Sequence, residues 1–235
     1  TAEGAWTLKA ESGTVNLQTP LALLASQDSA QVDSVTVSGP DTARADGQET
    51  VTIRAQVKDE NGNTKLKGVA VGWSTTLGTL SSSLSKTDEN GVAEMTLSSR
   101  AAGSAWVSAM LGGGASVQAN KAVTFTAGDI SADQSSLSIS PSSIIAAKES
   151  ATLSVTARDA EGNLLPGLQD KITADFTPEL NMTVSAFSEV SPGIYAASVS
   201  GKKAGTSQVS ADVSGIRINH TASITLKADN DTARV

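Results

Sequence analysis

Between Val51 and Lys58 apolar and polar residues alternate one by one, with Val51, Ile53, Ala55 and Val57 set against Thr52, Arg54, Gln56 and Lys58. A period of two predicts a strand with one buried and one wet face. The run Asp59-Glu60-Asn61-Gly62-Asn63 follows, where glycine supplies the positive φ of a tight turn. The pattern then returns. Leu153, Val155 and Ala157 alternate with Thr152, Ser154, Thr156 and Arg158, and Asp159-Ala160-Glu161-Gly162-Asn163 follows them. Val69, Val71 and Trp73 align with Ile172, Ala174 and Phe176, which places a large aromatic at one inward position in each copy. Ala93, Met95 and Leu97 correspond to Tyr195, Ala197 and Val199. Gly103-Ser104-Ala105-Trp106-Val107-Ser108-Ala109 matches Gly205-Thr206-Ser207-Gln208-Val209-Ser210-Ala211, and also Gly4-Ala5-Trp6-Thr7-Leu8-Lys9-Ala10. The closing strand carries Val123 and Phe125, then Ile224 and Leu226, then Leu21 and Leu23 in the front fragment.

Each full copy holds about seven short strands separated by turn signals, which predicts an all-β chain of tandem antiparallel β-sandwiches arranged end to end. Polar joints divide the chain. Residues 1–27 read as the C-terminal strands of a preceding domain, 28–128 and 129–228 as two full domains, and 229–235 as the start of a linker or next domain. The joints are short, so neighbouring domains are expected to sit with limited freedom.

Composition narrows the chemistry. Aromatics are only 3% of the 235 residues, so the cores must be built from Val, Leu, Ile and Ala. Charged residues are 17%, too few for charge-driven disorder. The net charge of −7 argues against nucleic acid or an anionic membrane as partner, since both need clustered Lys and Arg. There is no cysteine, hence no disulfide framework, thiolate zinc site or cysteine nucleophile. No apolar run approaches a membrane span, so no membrane contact by this segment is expected.

Oxygen-bearing side chains in the turns, namely Asp59, Asn61, Asn63, Asp88 and Asn90, raise the question of calcium. Calcium takes about six to eight oxygens, usually with several converging carboxylates, and each turn offers one or two. Asp and Asn also favour such turns for backbone reasons alone. Acids recur at the joints as Asp28 and Asp33, Asp129 and Asp133, and Asp229 and Asp231. Of these, Asp129, Asp133, Asp229 and Asp231 are the candidate metal ligands, although the pairs lack the further carboxylates of a closed site. His220 is the only histidine, and no nucleophile–base set follows from spacing, so neither an enzyme nor a cofactor is expected. In the strand through Trp106, residues Ala105, Val107 and Ala109 take the inward parity. Trp106 and Met110 then face outward as candidate binding residues, either for a partner or for packing under a neighbouring loop.

The string from Trp73, WSTTLGTLSSSLSKTDENGVAEMTLSS, resembles the bacterial immunoglobulin-like domains of the intimin and invasin adhesins. So do Ala45-Asp46-Gly47, the turn at Asp59, Thr87-Asp88-Glu89-Asn90-Gly91, and Ala102-Gly103 followed by Val107-Ser108-Ala109. The second copy is a divergent one, with Thr177-Pro178-Glu179-Leu180 in place of the Thr-Leu-Gly-Thr-Leu string and Ser191-Pro192-Gly193 in place of Glu89-Asn90-Gly91. The resemblance implies immunoglobulin-like sandwiches in an extracellular stalk, anchored in the bacterial outer membrane by a β-barrel and carrying a distal tip. It implies contact with a host-cell surface protein or glycan through the full-length protein. Direct binding by these domains and self-association between cells are the alternatives, the second because sandwiches expose sheet edges.

Overall fold

The computed structural model describes residues 4–229. The chain divides into two units, residues 1–126 and 127–235. In the first, the alternating run Val51–Lys58 is the centre of a sheet. It pairs antiparallel with Gln31–Ser38 on one side and with Val92–Ser98 on the other, and Thr79–Leu80 completes the order. The facing layer contains Ala70–Thr75, flanked by Val107–Met110 and by Leu84–Lys86. It continues through Gly103–Ala105 and Val123–Thr126 to Thr42–Arg44, which lies parallel to Val123–Thr126. Ile53, Ala55, Val57, Ala93 and Leu97 of one layer meet Val71, Trp73, Val107, Ala109 and Phe125 of the other in one buried cluster. Each large aliphatic so buried contributes roughly 1.5–3 kcal/mol.

The second unit repeats the plan. Ser136–Ser140, Ala151–Thr156, Ile194–Gly201 and Met182–Val184 form one sheet. Ser143–Ile145, Ala222–Lys227, Gly205–Val213 and Ile172–Thr177 form the other. These are the predicted immunoglobulin-like antiparallel sandwiches. Among the described residues the helical content is one 3-10 turn, Gln169–Lys171. In both units the first strand changes sheet, at Gly39-Pro40 and again at Ser140-Pro141. Proline has no N–H to continue the first ladder, so the chain is released to join the second.

One alignment is corrected by the ladders. Trp73 faces Ala109, whereas Phe176 faces Val209, the counterpart of Val107. The residue in the place of Trp73 is therefore Ala174, and Phe176 stands where Thr75 does. Trp73 is buried with its indole N–H donating to Ser85 Oγ at 2.8 Å. The second unit buries its large aromatic on the opposite sheet instead. Tyr195 is fully enclosed; its hydroxyl donates to the Leu165 carbonyl at 2.5 Å and accepts the Leu168 N–H at 3.0 Å. Burial pushes its phenol above the usual range, against the opposing Leu168 donor.

The front fragment is a nine-pair hairpin, Gly4–Ser12 with Val15–Leu23. Gly4 pairs with Leu23 as Gly103 does with Phe125 and Gly205 with Leu226. One face carries Trp6, Leu8, Leu17 and Leu21, all largely exposed, and the other carries Thr7, Lys9, Glu11 and Gln18.

Gly91 is the tightest turn position. Its φ is +73°, and a Cβ there would stand 2.0 Å from the Thr64 carbonyl oxygen and 2.9 Å from that of Val57. Both atoms are backbone, so neither can swing aside. Gly91→Ala is expected to destabilise the first unit by about 2 kcal/mol or more. Calorimetry should show its transition falling by roughly 8–16 °C while that of the second unit is unchanged.

Candidate functional site

The residues that repeat most closely outside the cores are the Asp-x-x-Gly-Asn turns, and both lie deeper than turns usually do. Asp59 is 1% exposed and Asp159 2%. In each turn the aspartate N–H donates to the asparagine carbonyl at 3.0 Å, which closes the loop under the side chain. Oδ1 of Asp59 accepts the N–H groups of Asn61 and Asn63, both at 2.9 Å. Oδ2 accepts the Asn63 side-chain amide at 2.8 Å and the N–H of Ser26 at 3.1 Å. In the second unit Oδ1 of Asp159 accepts Glu161 at 3.0 Å and Asn163 at 2.8 Å. Oδ2 accepts the Asn163 amide at 2.9 Å and the N–H of Gly128 at 2.8 Å.

Ser26 and Gly128 lie in the polar joints that precede the first full strand of each unit. The buried carboxylate therefore holds the incoming chain to the sandwich that chain is about to build. Further contacts support the grip. The Gln27 side chain donates to the Lys67 carbonyl at 3.1 Å, and the Ser131 N–H donates to the Arg158 carbonyl at 2.7 Å. A carboxylate has about four acceptor sites, and in both turns all four are occupied by N–H donors. The same saturation leaves Asp59 no lone pair to offer a cation. Asp88 begins a related but exposed turn, whose Oδ1 accepts Asn90 and Val92 at 2.9 Å.

The donors also hold these acids ionised. The Asn63 amide, opposed by burial and aided by Ser26, Asn63 and Asn61 N–H groups, lowers Asp59 from 3.8 to about 2. At Asp159 burial acts upward, but the donors from Gly128, Asn163 and Glu161 outweigh it and the net direction is down.

The candidate metal ligands are placed separately. Asp133 accepts the Asn219 side-chain amide, and Asp229 pairs with Lys148 at 2.8 Å. Asp129 is exposed beside the second joint. Asp33 pairs with Lys58 at 2.5 Å. Asp231 lies outside the described residues. Among the described residues no three His, Cys, Asp or Glu side chains gather in a group that could hold a metal ion.

Trp106 and Met110 occupy one outer face, 39% and 36% exposed. Trp106 sits where the strand is interrupted between Ala105 and Val107, fixed by mutual bonds with Thr76. Ser108 separates the two residues, which are about 13 Å apart along the strand. The nearer apolar neighbour of Met110 across the sheet is Leu84, 56% exposed, with Gly72 between them in register. Leu84 follows from strand parity once the ladder partner of Gly72 is known, and the sequence alone does not name that partner.

Comparisons with known proteins agree with this architecture. A family model described as bacterial Ig-like domain (group 1) matches residues 33–126, and one described as invasin, domain 3, matches residues 131–229. The chain is 33% identical over 204 residues to the inverse autotransporter adhesin YeeJ of Escherichia coli K12, covering 81% of this chain and 8% of that protein. It thus spans less than a tenth of the curated relative's length. FdeC, an Escherichia coli adhesin, superposes with a TM-score of 0.64 at 26% identity, covering 88% of this chain and 67% of that one. InvD of Yersinia pseudotuberculosis shares the fold with a TM-score of 0.62 at 24% identity, over 89% and 61% of the two chains.

Asp59→Asn replaces an all-acceptor group by one that turns an amide toward N–H donors. It is expected to lower the melting temperature of the first unit by at least about 5 °C. The stabilisation from ionised Asp59 is complete above its ordinary value of 3.8 and drains away as pH falls through about 2. The urea midpoint of the wild-type unit should therefore fall more steeply over that interval than the midpoint of the Asp59→Asn variant.

Proposed function

Because this chain belongs to the intimin/invasin family of adhesins and consists of its bacterial Ig-like domains, we propose that it is a segment of an extracellular stalk. In this reading the full-length protein is anchored in the bacterial outer membrane, and the stalk carries a distal tip toward a host-cell protein or glycan. The observation that carries the reading is the pair of saturated carboxylates gripping the incoming chain at Ser26 and Gly128. A stalk must transmit tension from one module to the next, and a joint pinned to the module it enters shortens the free linker. The front hairpin supports the same reading. Its register with the closing strands of both sandwiches, and its apolar face, suit the last two strands of another module in the series. No helix among the described residues is long and apolar enough to cross a membrane.

Excising residues 127–226 from the full-length adhesin should shorten its reach by about 30–40 Å, the length of one sandwich with its end loops. Super-resolution measurement of tip height on cells checks this, and the remaining module should still melt cooperatively. A second reading, direct binding by these domains, is favoured by one observation, an exposed tryptophan whose main chain is fixed by Thr76. Under that reading Trp106→Ser abolishes host-cell binding by the isolated chain at unchanged melting temperature. Retained binding removes the patch from consideration.

A further inference from the structure

The two sandwiches treat one sheet edge differently. In the first unit the outer side of Ala70–Thr75 is covered by the chain running through Leu84–Lys86. Main-chain bonds there join Thr87 N–H to the Val69 carbonyl and Trp73 N–H to the Ser83 carbonyl. In the second unit the equivalent strand, Ile172–Thr177, ends its sheet and, among the described residues, pairs on one side only.

The connections that follow the edge strand run differently in the two copies. Leu80 and Val184 hold equivalent places opposite Leu97 and Val199. From there to the next turn glycine, Gly91 or Gly193, the second copy is two residues shorter. Its chain does not cross to the other sheet. Ser188–Ser191 folds back on Ile194–Gly201 instead, around Pro192-Gly193. The edge of Ile172–Thr177 is left with no strand of the described residues beside it.

That edge is ready for pairing. The Ser214 N–H bonds the Lys171 carbonyl, which sets the alternation so that Ile172, Ala174 and Phe176 turn their N–H and C=O groups outward. These are the places of Val71, Trp73 and Thr75, the first two of which lie on the side covered in the first unit. Beside the edge runs an open groove, about 820 Å³ along Ala174–Thr177 and about 400 Å³ along Ile172–Ala174. Half-buried Phe176, Met182, Val184 and Phe187 line it.

The sequence of the edge identifies an occupant. Laid antiparallel on itself about Ala174, Ile172-Thr173-Ala174-Asp175-Phe176 opposes Ile172 to Phe176, Ala174 to Ala174 and Thr173 to Asp175. Apolar residues meet on the inner face, and on the outer one each Asp175, bonded to Arg217 of its own chain at 2.6 Å, faces Thr173 of the other copy. Centring on Asp175 instead would set two carboxylates face to face, each with its Arg217 partner, and would oppose Ala174 to Phe176. We propose that this edge pairs with the same edge of a second copy of the chain, forming one continuous sheet across a two-fold axis at Ala174. Such an isologous contact is closed. It is also small, so it dimerises weakly in solution, and crowding of many copies on one surface raises its effective concentration.

The chain has no cysteine, so Ala174→Cys introduces a unique thiol at the proposed axis. A hydrogen-bonded antiparallel pair holds its Cα atoms about 5.5 Å apart, within disulfide range. Under mild oxidation the Ala174→Cys chain should form covalent dimer at least about tenfold faster than a Ser138→Cys control on the opposite, outer face. Sedimentation equilibrium of the wild-type chain up to about 1 mM should show reversible dimer. Ala174→Pro removes an N–H that has no partner among the described residues of the monomer, so the melting temperature should hold while dimerisation weakens at least about tenfold. Equal cross-linking of the two cysteine variants overturns the proposal. So does dimer that persists undiminished in Ala174→Pro, or an edge that takes up an unrelated extended peptide while the chain itself stays monomeric.

Discussion

A carboxylate withdrawn from water must be given N–H donors, or the cost of its desolvation falls on the fold. Each of the two sandwiches meets that requirement at the same turn. Asp59 and Asp159 draw donors from the turn that follows and from the asparagine four residues on. The turn can supply three. The fourth comes from the chain 33 residues upstream in one unit and 31 in the other. The point at which each module takes hold of the incoming chain is therefore where the remaining lone pair of one buried oxygen finds its donor. Leaving that oxygen unpaired would penalise any looser joint.

The cores impose a second constraint, and it acts on the edges. Two sheets of small aliphatic residues close over Ile53 or Leu153 only if each contributes its full inward row. The inward rows accordingly keep their apolar character in both copies, although the large aromatic moves from Trp73 to Tyr195. A strand that merely borders the sandwich is less constrained. Leu84–Lys86 and Ser188–Ser191 lie in equivalent stretches of the two copies yet join different sheets, and both units keep one buried cluster. Edge allegiance can thus be changed by the length of a surface connection, which costs little conformational entropy to alter.

How much of this was legible in the sequence follows from the same physics. Strand positions and inward residues were readable because side-chain period and turn glycine are written in residue types. The front hairpin shares the register of the closing strands, Gly4 opposite Leu23 as Gly103 is opposite Phe125. The aspartate grip was not readable, because the donor that closes it is a main-chain N–H, from Ser26 or Gly128, and a main-chain donor carries no residue signature. The same turns invited a calcium reading, since a carboxylate looks identical in sequence whether its lone pairs face a metal or amides. The pairing of Trp73 with Phe176 failed by one strand period. Both are large and inward-facing, but only the ladder to Val107 and Val209 fixes which position each holds. Trp106 and Met110 had their parity read correctly. Their separation by Ser108, and the approach of Leu84 to Met110, needed the cross-strand register.

Under the stalk reading proposed above, the two copies divide into what tension requires and what recognition requires. A module under load needs a sealed core and a fixed attachment, and these are held in common down to the four donors on one carboxylate. Recognition needs surface that neighbouring modules do not share, since an array of identical edges would pair with itself indiscriminately. The first unit covers the edge of its Ala70–Thr75 strand with its own chain. In the second, no strand of the described residues lies beside the edge of Ile172–Thr177. The difference between the copies, rather than their likeness, is then the part of the chain on which selection for a partner can act without loosening the sandwich beneath.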